Sequence, residues 1–204
     1  MRIIAGQRRG HKFDGPSDRV TRPTSDMVRE AIFNILGESV EDLLVVDLFA
    51  GTGALGLEAL SRGARRAIFV ERSRENFALI RRNIATLRYE DRTQVIAADA
   101  YRWARSFVPD PSEPVVVFSD PPYLDYQNHP DRVSRLLAEL SARLPDGSIL
   151  ASESSRKLDA EDLPDLDAWD VRRYGGTQVA IRRIGPVEAA AELPSIEGPS
   201  DGVD

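Results

Sequence analysis

Asp47-Leu48-Phe49-Ala50-Gly51-Thr52-Gly53-Ala54-Leu55-Gly56 is the stretch that decides the fold. It follows Leu43–Leu48, an apolar run broken only by Asp47, and it opens a segment with helical character, Ala54–Arg62, closed by Gly63. The strand–glycine–helix order matters because glycines let a backbone turn sharply and approach a ligand. Such ligands sit outside the carboxyl ends of the strands in open α/β sheets. The literal G-x-G-x-x-G is shared by several kinds of nucleoside site, so it does not choose among them.

Outward from this point the alternation continues. Arg66–Glu71 reads as the next strand, and Ser73 caps a helix running to about Thr86. Thr93–Ala97 is a third strand, followed by a helix near Ala100–Phe107; Val115–Phe118 is a fourth. A helix around Pro130–Leu144 precedes a strand over Ser148–Glu153. Trp169–Tyr174, Gly175-Gly176 and Thr177–Ile184 read as a closing hairpin. Near-continuous apolar strands separated by helices mean a parallel sheet covered on both faces. The expected class is therefore α/β and Rossmann-like: seven strands, mostly parallel, with an antiparallel strand near one edge.

Before this core, Thr24 and Ser25 offer N-caps for a helix whose stripe is Val28, Ala31, Ile32, Ile35 and Leu36, with Gly37 as its stop. Arg2–Gly6 and Gly10–Phe13 could pair as a short hairpin. The expected division is a basic hairpin extension over 1–23, the main domain over 24–184 and an acidic, disordered tail over 185–204.

Bulk properties exclude several classes. The 204 residues contain no cysteine, so disulfides, thiolate metal sites and cysteine nucleophiles are ruled out. His11 and His129 lie far apart in sequence, and no metal site is expected. No apolar run reaches the roughly 18 residues that a membrane span needs. A cytoplasmic protein with no membrane partner is expected. The net charge of −6 hides an uneven distribution: residues 1–22 carry six Lys/Arg against two acids, and the last 20 residues carry five acids. Without those five acids the chain stands at −1.

Two further features carry chemistry. Glu71 ends the second strand, 20 residues after Gly51, where an acid accepts hydrogen bonds from ribose hydroxyls. Asp99 follows the third strand, within reach of an adenine. Asp120-Pro121-Pro122-Tyr123 follows the fourth. Two prolines fix φ and remove two donors, leaving a rigid loop that presents carbonyl oxygens. An exocyclic amine needs such acceptors, because its lone pair is delocalised and its N–H groups must be oriented. Asp120 and the Pro121 carbonyl can aim that lone pair at a sulfonium methyl, with positioning as the main gain. Tyr123 offers a face for stacking a base. A nicotinamide oxidoreductase would use Gly51, Gly53, Gly56 and Glu71 but leave Asp120–Tyr123 idle.

Taken together, Asp47–Gly53, Glu71 and Asp120–Tyr123 resemble the class I S-adenosylmethionine (SAM)-dependent methyltransferases that act on amino nitrogens. Arg2–Gly6, Arg9-Gly10, Thr21–Thr24 and Arg29–Leu36 look like the RsmD family of bacterial 16S ribosomal RNA guanine-N2 methyltransferases. The resemblance implies SAM bound by Asp47, Phe49, Gly51, Gly53, Glu71, Arg72, Asp99 and Ala100. It implies that Asp120, Pro121, Pro122 and Tyr123 hold the target guanine. It implies an rRNA substrate, as the assembled 30S subunit, gripped by Arg2, Arg8, Arg9, Lys12 and Arg22. A monomer is expected. Alternatives stay open at this point. An N6-adenine methyltransferase would use the same loop but usually carries a recognition domain for which this chain has no room. A protein-glutamine N5 methyltransferase typically has Asn where this chain has Asp120. An RNA-binding module that has kept the core without the chemistry is a fourth reading.

Overall fold

The computed structural model describes residues 1–16, 26–154, 157–159 and 161–185. Thr24 and Ser25, Arg22, the 23/24 boundary and the tail from 186 onward lie outside the described residues.

Strand β1 (Leu44–Leu48) is the middle of the molecule, flanked in parallel by β2 (Arg66–Glu71) and β4 (Val115–Ser119). The seven strands run in the order β3-β2-β1-β4-β5-β7-β6, where β3 is Thr93–Ala97, β5 Ile149–Ser154, β6 Asp170–Tyr174 and β7 Thr177–Arg183. β7 alone runs against its neighbours, inserted between β5 and the edge strand β6. The mostly parallel sheet with one antiparallel strand near an edge is as the sequence predicts. A parallel register has a functional consequence: Leu48, Glu71, Ala97 and Ser119 all end at one rim of the sheet.

Each face buries its own core. β4 shows the division: Val116 and Phe118 pack with helices α1 (Asp26–Leu36), α2 (Ala54–Ser61) and α3 (Arg74–Leu87), through Phe33, Leu57, Leu60, Ile80 and Ile84. Val115 and Val117 face the opposite side, with α4 (Ala100–Ser106), α5 (Tyr123–Asn128) and α6 (Pro130–Arg143), through Tyr101, Tyr126, Val133 and Leu137. This is the two-residue alternation of a strand covered on both faces. α2 is buried at every position, which a helix can be only when it is wrapped by sheet, neighbouring helices and another element.

That other element is the N-terminal segment. Arg2 and Lys12 form a single antiparallel bridge, with a 3-10 turn over Gly6–Arg8 between them. Ile3 and Phe13 are buried in the same core as α1 and α2. The expected hairpin exists as a narrow one, and it is part of the main core.

Helix α5 is the element that the sequence reading passes over. The two prolines read as a rigid loop, but Tyr123 is already the first residue of a helix with Pro122 at its cap. Proline before a helix start is well tolerated, because the early N–H groups have no intrahelical partner in any case.

Candidate active site

The glycine loop is shaped by two carboxylates. Asp47 is fully buried, and its Oδ2 accepts from the Gly56 N–H at 2.9 Å, tying the end of β1 to the first turn of α2. Burial pushes its pKa up to about 7; the Gly56 hydrogen bond opposes this and the nearby Glu71 charge adds to it. Glu71 uses both oxygens: Oε2 accepts from Gly51 N at 2.9 Å and Oε1 from Ser73 N at 2.7 Å. Each carboxylate oxygen keeps a second acceptor direction, so Glu71 can shape the loop and still receive a ribose hydroxyl. Gly51 and Gly53 sit at φ +55° and +79°, the left-handed region, and Phe49 shares it at +60°. The position a Gly51 side chain would take is open, with the nearest atom 3.9 Å away. That space, beside the rim and a half-spare carboxylate, suits a nucleoside cofactor.

Arg72 is exposed next to Glu71. Asp99 caps α4, accepting from Arg102 N at 2.9 Å. Its two oxygens also lie 3.2 Å from Nη2 of Arg132 on α6. Ala100 is buried behind it. Asp120–Tyr123 leaves the rim at the end of β4, where Ser119 is paired in register with Leu48 of β1, so the proline loop and the glycine loop begin on adjacent strands. Pro121 is buried, and Pro122 and Tyr123 are exposed. α5 is anchored below by Tyr126, whose hydroxyl meets Ser152 Oγ and the Glu153 carbonyl at 3.1 Å. The eight expected cofactor residues and the four of the proline loop thus share one rim.

The expected RNA residues separate. Arg2, Arg9 and Lys12 are exposed. Arg8 is half-buried, with its guanidinium 5.8 Å above the Tyr89 ring. Arg22 is outside the described residues.

Several polar residues escaped sequence reasoning. Glu58, fully buried on α2, accepts from Ile4 N at 2.8 Å, Ala5 N at 3.0 Å and Arg62 Nε at 2.8 Å. Arg29, also fully buried, lies 3.7 Å from Glu58 and donates to the Arg2 carbonyl at 2.7 Å. Ser61 Oγ accepts from Arg8 N at 2.9 Å and donates to the Ala5 carbonyl at 2.6 Å. Asn83 on α3 clasps the backbone of Asp14 on both sides, at 2.9 and 3.1 Å. A signal existed for two of them. Glu58 is the one charge in Ala54–Ser61, and Arg29 shares the buried face of Phe33 and Leu36 at the i+4, i+7 spacing. Nothing in the sequence marked Tyr101, Asp125 or Arg132.

Among the described residues, no group of three or more His, Asp and Glu is placed to hold a metal ion, and no helix is long and apolar enough to cross a membrane.

Comparison with known proteins places this arrangement. A family model described as Conserved hypothetical protein 95 matches residues 1–183. Ribosomal RNA small subunit methyltransferase D of Escherichia coli (strain K12) is 37% identical over 197 residues, covering 94% of this chain and 92% of that protein. YlbH of Bacillus subtilis (strain 168) is 34% identical over 181 residues, covering 89% and 97%. The solved structure of yhhF from Escherichia coli superposes with a TM-score of 0.73 at 32% identity, covering 90% and 98%. The match runs through the hairpin, the glycine loop, Glu71 and the proline loop alike, and the chain belongs to this family, the RsmD family of methyltransferases.

Proposed function

We propose that this chain transfers a methyl group from SAM to the exocyclic N2 amine of a guanine in 16S ribosomal RNA, within an assembled small subunit. The observation that carries the reading is the adjacency of the two loops: Ser119 and Leu48 are register partners, so the amine-holding loop leaves the sheet beside the cofactor loop. The relatives named for ribosomal RNA methylation cover nearly the whole chain and supply the substrate class.

In this reading Gly51, Gly53 and Glu71 hold the cofactor's methionine and ribose parts, and Asp99 with Ala100 flank its adenine. Asp47 and Phe49 set the loop and Arg72 lies alongside. SAM supplies an electrophilic methyl on a sulfonium. Asp120 and the Pro121 carbonyl accept from the guanine amine and orient its lone pair, and Tyr123, exposed at the start of α5, stacks on the base. As the N–C bond forms the methyl–sulfur bond would break, its electron pair going to sulfur to leave S-adenosylhomocysteine, and the amine proton would pass to Asp120 or to water. Arg2, Arg9 and Lys12, with Arg8 and Arg22 in support, contact phosphates.

The test is transfer of labelled methyl from SAM to small subunits, and separately to naked 16S rRNA, from a strain lacking this gene, followed by nucleoside mass spectrometry. N2-methylguanosine, lost in Asp120→Ala with SAM binding retained, is the expected result. N6-methyladenosine, or full turnover by Asp120→Ala, would overturn it.

A further inference from the structure

One side chain joins the glycine loop to the helix that follows the proline loop. Tyr101 lies in the first turn of α4, directly after Asp99 and Ala100, and is 4% exposed. Its ring meets Phe49 of the glycine loop edge to face, with centroids 4.9 Å apart and planes at 70°. Its outer face carries the Arg132 guanidinium, 3.9 Å above the centroid, and the same guanidinium is bound to Asp99. Its hydroxyl donates to Asp125 Oδ2 at 2.9 Å. Asp125 sits two residues after Tyr123, on the short helix that carries the proline loop.

α5 is six residues long, too short to be stable alone, so its placement is set by what holds it. Among the described residues two side chains on it reach inward. Tyr126 fixes it to the end of β5. Asp125 fixes it to Tyr101, and the partners of Tyr101 are the loops assigned to the cofactor. A phenol–carboxylate bond is charge-assisted and short, and so resists displacement more than a neutral one. Tyr101 thus links Phe49 of the glycine loop to the helix that begins at Tyr123.

We infer that Tyr101 is a positioning residue: through Asp125 it sets helix α5, and with it Asp120–Tyr123, against the cofactor loops, so that binding in those loops further restrains the amine-holding loop. The inference rests on the methyl-transfer reading above. Tyr101 touches neither methyl donor nor acceptor in it.

Tyr101→Phe keeps the ring, hence the Phe49 contact and the Arg132 stack, and removes only the hydroxyl. Methyl transfer to small subunits should lose roughly ten- to a hundredfold in kcat, the range expected for a loop misplaced by about an ångström. KM for RNA and the affinity for S-adenosylhomocysteine should stay within about twofold. Asp125→Ala should match Tyr101→Phe, the double variant should be no slower than either, and Asp125→Asn, which keeps an acceptor, should recover most of the rate. Hydrogen exchange gives a readout independent of activity. S-adenosylhomocysteine should slow exchange over residues 123–128 in the parent severalfold and leave it unchanged in Tyr101→Phe. Parental kcat in Tyr101→Phe, additive losses in the double variant, or equal slowing of exchange in both proteins would overturn the inference. A parent that methylates no ribosomal RNA would sink the functional reading instead, and the exchange comparison would still decide the coupling.

Discussion

Glu58 is where a small change should do the most. Its carboxylate takes the Ile4 and Ala5 N–H groups and Arg62 Nε, and faces the Arg29 guanidinium at 3.7 Å with both side chains fully buried. Burial pulls Arg29 below the ordinary guanidinium value while Glu58 and Asp26 oppose the shift, and Glu58 is the buried one of the two carboxylates that let a charge stand there. Removing one member of a buried pair costs about 3–5 kcal/mol, because the other charge is left uncompensated. Glu58→Ala would add the loss of two backbone partners and approach the whole stability of a domain, about 5–15 kcal/mol. The informative variant is Glu58→Gln. It keeps the shape and one carbonyl acceptor but not the charge, and Arg29 would then face only Asp26, whose side chain is 46% exposed. A loss of about 2–3 kcal/mol is expected, read by urea unfolding with an unchanged m-value. Faster exchange should appear at the Ile4 and Ala5 amides before the sheet amides. Arg29→Met added to Glu58→Gln should recover most of the loss, since it removes the guanidinium left uncompensated while the Gln carbonyl still accepts from one of the two backbone amides. Glu58→Gln within about 0.5 kcal/mol of the parent, or a double variant less stable than both single ones, would refute the reasoning.

Asp47 gives a pH dependence with a defined sign. Its folded-state pKa of about 7 stands above the ordinary 3.8, so the folded form holds a proton that the unfolded chain releases. That contribution is present below about pH 4 and is lost as pH rises through about 7. Asp47→Asn should therefore gain on the parent by on the order of 4 kcal/mol between those limits, about 3 of it between the two pH values measured, by unfolding at pH 4.5 and 8; a constant difference across the range would show that Asp47 ionises normally. Glu71→Gln keeps one acceptor for Gly51 or Ser73 but not both with a ribose, and should weaken S-adenosylhomocysteine roughly tenfold by calorimetry; unchanged affinity removes Glu71 from the site. Arg9→Ala with Lys12→Ala, both exposed, should lower the slope of log K against log salt for RNA binding by roughly 1–2, and identical slopes would exclude phosphate contacts from this hairpin.

Much of the sheet was legible because its signal is local. Arg66–Glu71 and Thr93–Ala97 are found at the boundaries that the sequence implies, since each is an apolar run bounded by turn residues and a cap. The rim residues were legible for a related reason: parallel strands with helical crossovers put every carboxyl end on one side, so Asp47, Glu71, Asp99 and Asp120 converge without knowledge of packing. What was not legible depends on contacts between distant segments. α5 hides behind two prolines and is held by Tyr126 reaching β5 and Asp125 reaching α4, neither of which leaves a periodic trace over six residues.

The hairpin is the instructive case, because the family resemblance leaned on it while its physical attachment was invisible. The sequence shows only a basic, weakly patterned segment. The structure shows α2 serving two ends of the molecule. Its N-terminus carries Gly53 and the cofactor loop; Glu58 and Ser61, five and eight residues on, hold the backbone of residues 4, 5 and 8. At 1.5 Å per residue those contacts lie roughly 8–12 Å along the helix from the loop. α2 is buried at all eight positions and cannot shift without opening the core. If the hairpin grips RNA as proposed, the distance between phosphate contact and methyl donor is fixed by one rigid helix. Substrate identity then depends less on the charges of the hairpin than on the buried Glu58 that sets where those charges stand.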